Sequence, residues 1–216
     1  MSAEHYFSTS PTSSARPTQV EFDMAGRHFS LRGAAGVFSA DRLDPGTAVL
    51  LRKAVLPGPD TVGNLLDLGC GYGPITCVLA TQAPRATVYA VDVNTRAIEL
   101  TAANAAAAGL ADRVVAGSPE QVPESVRFAQ IWSNPPIHVG KAELHALLDR
   151  WLPRLAPAGA AWLVVARHLG SDSLAQWLTE RGWQVRRHAS QQGFRVLHLT
   201  RPGNSGDTPA AGTENC

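Results

Sequence analysis

Residues 64–74 read Asn-Leu-Leu-Asp-Leu-Gly-Cys-Gly-Tyr-Gly-Pro, and the rest of the chain organises itself around them. Leu65, Leu66 and Leu68 make a short apolar run that suits a strand buried on both faces. Gly69, Gly71 and Gly73 follow it at alternate positions, where glycine permits positive φ and lets the main chain approach a ligand. A dinucleotide fingerprint needs a third glycine three residues after the second. The two possible registers put Pro74 or Thr76 there, so both fail. A phosphate-binding P-loop fails too, because no Gly-Lys-Ser/Thr follows.

Downstream of this stretch the pattern is one of strand–helix pairs. A helix is expected over 75–82, stopped by Pro84. Strands follow over 86–92, 112–117 and 128–133, with an alanine-rich helix over 95–108 opened by Asn94 and closed by Gly109. Leu144, Leu147, Leu148, Trp151 and Leu155 mark an amphipathic helix over 143–155. A strand at 160–166, a helix at 172–181 and a closing hairpin of 183–189 with 194–200 complete the series. Upstream, Ala25-Gly26 between two alternating runs predicts a β-hairpin over 19–32, and a short helix is expected over 47–56. The fold class is therefore α/β: a doubly wound, mostly parallel seven-stranded sheet with a C-terminal antiparallel strand and an N-terminal hairpin. Four segments are expected: a flexible 1–18, a lead-in 19–57, the main domain 58–201 and a disordered tail 202–216. Ligands of such sheets bind at the carboxyl ends of the strands, near the reversal of strand order.

Composition narrows the classes. The chain has 216 residues, 44% hydrophobic and 17% charged, which excludes disorder over its whole length. Its longest nearly apolar run, 156–166, is far short of the roughly 20 residues a membrane span needs. Cys70, Cys77 and Cys216 have no metal-like spacing and are odd in number, so a reducing, cytoplasmic setting with no structural metal is expected. A net charge of +1 favours no partner, although eight arginines between Arg150 and Arg201 face only Asp172 and Glu180. A positive flank of that kind suits RNA phosphates.

Asp67-x-Gly69-x-Gly71-x-Gly73 resembles motif I of class I S-adenosylmethionine-dependent methyltransferases. The resemblance implies S-adenosylmethionine as cofactor, held by Asp67, Gly69, Cys70, Gly71 and Gly73. Asp67 then approaches the cofactor's amino group, and Asp92, at the end of the second strand, accepts from the ribose hydroxyls. Val93 packs on the adenine. Where the family often has an adenine-contacting acid, this chain has Gly117-Ser118-Pro119, so Ser118 or a main-chain group takes that place.

The second signal is Ser133-Asn134-Pro135-Pro136-Ile137-His138, after the fourth strand of the sheet. Consecutive prolines stiffen the loop and force the residue before them to be extended. An amide oxygen from Asn134 and the main-chain oxygen of Pro135 can accept both N–H bonds of a planar amine and orient it for methylation. Asn134, Pro135 and Pro136 are thus the expected catalytic set. Many enzymes with this signal carry an aromatic where Ile137 stands. Ile137, His138 and Phe38 are the expected substrate contacts.

Gly36-Val-Phe-Ser39 with Leu43-Asp44-x-Gly46-Thr47 and Asn134-Pro-Pro-Ile-His-Val-Gly-Lys141 is similar to the "small" methyltransferase-domain group, which includes small-subunit ribosomal RNA guanine-N2 methyltransferases. That likeness implies methylation of an exocyclic guanine amine in RNA, with a ribosomal partner and a monomer or weak dimer. Two other readings stay open: methylation of a small-molecule or protein amine, and a non-catalytic RNA-binding or assembly module on the same fold.

Overall fold

Leu65 and Leu66 are neighbours in sequence yet enter different apolar cores, so a single strand organises two layers. The computed structural model describes residues 17–39, 41–136 and 140–203. The expectations for 1–16 and 204–216, and those for Ile137 and His138, lie outside the described residues. In chain order the elements are β1 (Pro17–Met24), β2 (Arg27–Ala34), α1 (Pro45–Lys53), β3 (Val62–Leu68), α2 (Pro74–Gln82), β4 (Arg85–Val91) and α3 (Thr95–Ala107). They continue with β5 (Val114–Gly117), β6 (Phe128–Ser133), α4 (Lys141–Trp151), β7 (Leu155–Ala166), α5 (Ser171–Glu180), β8 (Gln184–Gln191) and β9 (Phe194–Thr200).

The main sheet has the order β5-β4-β3-β6-β7-β9-β8. Only β9 runs antiparallel to its neighbours β7 and β8; the other pairs are parallel. This is the α/β architecture read from the sequence. The chain moves outward from β3 to β5, then returns to lay β6 on the other side of β3. The crevice of the sheet therefore lies at the carboxyl ends of β3 and β6. Val49, Leu50, Val78, Leu79 and Ala97 of α1, α2 and α3 pack on one face. Leu144, Leu148, Trp151, Leu174 and Leu178 of α4 and α5 pack on the other.

The hairpin closes on a two-residue turn whose conformation glycine adopts freely and alanine at some steric cost. Ala25 and Gly26 both have positive φ, 50° and 72°, the signature of the type I′ turn that matches strand twist. Its inner face, Val20, Met24, Phe29 and Leu31, joins the same core as α1–α3. Buried Asn104 of α3 clasps it there: Asn104 Oδ1 accepts from the Arg32 N–H at 2.8 Å, and Nδ2 donates to the carbonyls of Arg32 (2.9 Å) and Tyr72 (2.8 Å).

Several boundaries differ from expectation: the first helix ends at Lys53 and not at 56, β5 begins at Val114 and not at 112, and β8 runs to Gln191 and not to 189. Two further shifts have a local cause. The first helix begins at Pro45, not Thr47, because Asp44 caps it and proline suits its first position. The helix expected over 143–155 stops at Trp151. Residues 152–154 tighten into a 3₁₀ turn around Pro153, and Leu155 already pairs with Phe128 of β6. β7 then bulges before Ala160 pairs with Gln130. Gly159 is needed in the bulge, since a Cβ there would lie 3.0 Å from the carbonyl oxygens of Phe128, Ala129 and Ala156.

Asn104→Ala strands three main-chain groups that have no other partner in the clasp. Chemical denaturation should show a loss of about 2–4 kcal/mol. A loss below about 1 kcal/mol would mean that the clasp does not hold the hairpin.

Candidate active site

The loop after β3 is built by a cap that comes from inside the sheet. Gly73, the N-cap residue of α2, has no side chain to offer the helix. Fully buried Asp67 supplies the missing acceptor: its Oδ2 takes the N–H of Thr76 at 2.9 Å and the Thr76 hydroxyl at 2.6 Å. Asp67 Oδ1 is buried as well and has no partner among the described residues. The glycines serve two needs. Gly69 and Gly71 have φ of 79° and 58°, and a Cβ at either would project into open space. At Gly73 a Cβ would press against Thr101 of α3 at 3.0–3.3 Å. So the first two keep a cradle open, and the third lets the loop approach α3.

Asp92 ties this loop to the next helix. Its Oδ2 accepts from the Gly71 N–H at 3.0 Å, and Oδ1 accepts from the Asn94 N–H at 2.9 Å. The N–H groups of Gly69 and Cys70 both bond the Val91 carbonyl, at 2.8 and 3.1 Å. The Cys70 side chain turns into the core, leaving only its main chain for the cradle. Val93 stands 44% exposed at the start of α3. Beyond β5, the Ser118 N–H donates to Gln121 Oε1 at 2.8 Å, and the Ser118 carbonyl accepts from the Gln121 N–H at 3.0 Å. Gln121 escaped the sequence reading; its place three residues after Ser118, in a Ser-x-x-Gln capping pattern, was the available signal.

The lead-in reaches the same end of the sheet. Asn94 Nδ2 donates to the Gly36 carbonyl at 2.9 Å and Arg96 Nη1 to the Ala35 carbonyl at 2.6 Å, which pins the turn carrying half-exposed Phe38 over the start of α3. Tyr72 of the glycine loop donates its hydroxyl to the Arg42 carbonyl at 3.4 Å.

On β6, the buried Ser133 hydroxyl donates to the Leu68 carbonyl at 2.7 Å, fastening the strand end next to Asn134 to the strand end next to Gly69. Asn134 is partly buried, Pro135 buried and Pro136 partly buried. Asn134 Nδ2 donates to Asp44 Oδ1 at 2.6 Å and to Thr47 Oγ1 at 3.0 Å. Asn134 Oδ1 keeps no partner among the described residues. The lead-in pattern contained Asp44 and Thr47, but nothing local to it pointed to Asn134.

The eight arginines do not form one flank. Arg154 and Arg201 give their guanidinium groups to the carbonyls of Pro123, Val126, Pro153 and Leu155, at the end of the sheet opposite the glycine loop. Arg150 and Arg181 pair with Glu120 and Asp149 at 3.3 Å. Arg187 and Arg195 converge on Asp172. Exposed Arg186 donates to His188 Nδ1 at 3.2 Å, and exposed Arg167 stands at the exit of β7.

An open glycine cradle, a buried carboxylate oxygen with no donor among the described residues, and an amide at the neighbouring strand end fit a cofactor with an ammonium group and an acceptor-guided amine substrate. That is the site of an S-adenosylmethionine-dependent methyltransferase. Residues 28–198 match the family model of the methyltransferase small domain, and the chain belongs to that family. It is 31% identical over 197 residues to the uncharacterized protein YbxB of Bacillus subtilis, covering 90% of this chain and 97% of that one. It is 34% identical over 210 residues to ribosomal RNA small subunit methyltransferase C of Stutzerimonas stutzeri, covering 86% of this chain and 58% of that one. Among solved structures it is similar to the T. thermophilus 16S rRNA N2 G1207 methyltransferase in complex with AdoMet and guanosine. There the TM-score is 0.72 at 26% identity, over 88% of this chain and 52% of that one. The chain thus spans a little over half the length of these two ribosomal RNA methyltransferases. Among the described residues no helix is long and apolar enough to cross a membrane.

Burial pushes the Asp67 carboxyl up to about 7, against the pull of the two Thr76 hydrogen bonds. A folded-state pKa raised above the unfolded value of 3.8 means that the folded chain keeps a proton the unfolded chain has lost. Stability owed to this group therefore falls as pH rises from about 4 to 7. Asp67→Asn removes the titration but keeps an acceptor for Thr76. Between pH 5 and 8 the difference in unfolding free energy between the variant and the parent should move in the variant's favour by on the order of 2–3 kcal/mol. A pH-independent difference would show that Asp67 is ionised throughout.

Proposed function

We propose that this chain is an N-methyltransferase that modifies the exocyclic amine of guanine in RNA, with small-subunit ribosomal RNA as the substrate. The observation that carries the reading is the orientation of Asn134. Its NH₂ is consumed by Asp44 and Thr47, so its oxygen is the end left to accept from a substrate N–H. An acceptor at this point of the sheet selects an amine. The ribosomal RNA enzymes of the family, one of them solved with guanosine, support guanine as the base that carries it.

S-adenosylmethionine, when bound, supplies an electrophilic methyl group on a sulfonium centre. Asp67 Oδ1 is the acceptor for its ammonium, the main chain of Gly69–Gly73 its cradle, Asp92 the ribose acceptor and Val93 the adenine contact, with Ser118 at the adenine edge. The chain's own residues do the rest. A guanine amine is flat because its lone pair is delocalised into the ring. Asn134 Oδ1 and the Pro135 carbonyl accept its two N–H bonds, draw density onto the nitrogen and hold it in line for attack. Pro135 and Pro136 keep these acceptors from moving with the substrate. The methylated nitrogen is acidic while positively charged and loses its proton to water, so no side chain is required as a strong base. Phe38, Ile137 and His138 hold the base. The remaining assignments go with this reading: a ribosomal RNA or subunit partner, a cytoplasmic setting, a monomer or weak dimer, and a main domain over 58–201 carrying the 19–57 lead-in.

Asn134→Ala should leave cofactor affinity by calorimetry within about twofold and cut turnover on the order of a hundredfold or more. Tritiated cofactor incubated with separate ribosomal RNA, protein and metabolite fractions should label the RNA alone. Label confined to metabolites or protein would transfer the same chemistry to another amine, and unchanged turnover in the variant would remove Asn134 from it.

A further inference from the structure

A primary amide has two ends of nearly equal shape, and an acceptor role for Asn134 requires that the oxygen, not the nitrogen, face the substrate. The two groups that settle the matter come from 90 and 87 residues earlier in the chain, at the start of α1. An ionised carboxylate can only accept hydrogen bonds. Asp44 Oδ1, 2.6 Å from the Asn134 side chain, can thus face only the NH₂ end; a flipped amide would set two oxygens against each other. We propose that Asp44, assisted by Thr47, is a positioning residue that fixes the direction of the Asn134 amide and strengthens its oxygen as an acceptor. The inference rests on the reading of Asn134 as the acceptor of the substrate's N–H.

Asp44 is itself held in place. The same Oδ1 accepts the Thr47 N–H at 2.8 Å as the N-cap of α1, and Val49, Leu50 and Leu51 anchor that helix in the core. Space around it is tight: a Cβ on Gly46 would lie 3.0 Å from Asp44 Oδ1 and 2.9 Å from the Phe194 ring. The Arg42 carbonyl, two residues earlier, is gripped by Tyr72 of the glycine loop. The direction of the amide is thereby inherited from a buried helix and from the cofactor loop. A cap alone does not account for aspartate here, since serine and asparagine cap helices as well. What aspartate adds is an acceptor-only group with a negative charge. Donation from Nδ2 to that charge polarises the amide toward its oxygen, the end that meets the amine.

Asp44→Asn and Asp44→Ser keep a competent cap and lose the directional lock. With tritiated cofactor and protein-free small-subunit ribosomal RNA, kcat should fall on the order of tenfold to a hundredfold, while KM for the RNA and cofactor affinity stay within about twofold. Asn134→Asp alone opposes two carboxylates and should be nearly inactive. The exchanged pair D44N/N134D restores a donor at 44 and an oxygen facing the substrate, so it should recover about tenfold over N134D. In ¹⁵N-labelled protein, which needs no substrate, the Asn134 side-chain amide should exchange slowly in the parent and rapidly in Asp44→Ser. If Asn134→Ala turns over normally, the reading of Asn134 fails and the positioning role with it. If Asn134→Ala is slow but both Asp44 variants match the parent, the positioning role alone is overturned. Fast amide exchange in the parent, or no recovery in a folded exchanged pair, overturns it equally.

Discussion

The N-cap of helix α2 is a glycine, and a helix without a capping side chain leaves its first N–H groups in need of other acceptors. Asp67 meets that need from within β3, nine residues upstream, and by doing so folds the intervening chain back on itself. The rest of the site follows from this buried carboxylate. Gly69 and Gly71 take positive φ in the loop it folds back, and its second oxygen stays buried with no partner among the described residues. Burial raises the Asp67 carboxyl above the usual carboxylate range, so an ionised group is disfavoured at this position in the sheet.

From that loop, short polar ties spread to every segment that shapes the site. Asp92 bonds Gly71, Thr101 donates to the Gly71 carbonyl, Asn104 holds Tyr72, and Ser133 holds the last residue of β3. Each joins parts distant in sequence, and Asn104 and Ser133 are fully shielded from solvent, where such bonds are hard to exchange for water. The lead-in is part of this network. Its hairpin is clasped by Asn104, its turn by Asn94 and Arg96, and its helix cap by Asn134. The Asn134 amide just after β6 and the glycine loop just after β3 are thus joined through one network of hydrogen bonds, which suits chemistry governed by alignment.

Where the sequence was misleading, the reason was a partner out of view. Leu155 extends the apolar stripe of α4, so periodicity assigns it to the helix; only its pairing with Phe128 makes it the first residue of β7. The arginines between 150 and 201 look like a basic flank because counting cannot see direction. In the folded chain Arg154 and Arg201 serve carbonyls at the far end of the sheet, Arg150 and Arg181 pair with Glu120 and Asp149, and two others share Asp172.

Local chemistry was enough to specify the alternation of strands and helices, the glycine loop, a tight turn at Ala25-Gly26 and the stiff Asn-Pro-Pro exit. These depend on side-chain period and on the φ preferences of glycine and proline, which act within a few residues. It was also enough to exclude a dinucleotide loop by the residue at position 74 or 76. The direction of the Asn134 amide, the orphaned oxygen of Asp67 and the clasp of Asn104 belong to another level. A hydrogen bond between residues ninety positions apart leaves no periodic trace, and it exists only once strand order has brought the carboxyl ends of β3 and β6 together under the lead-in.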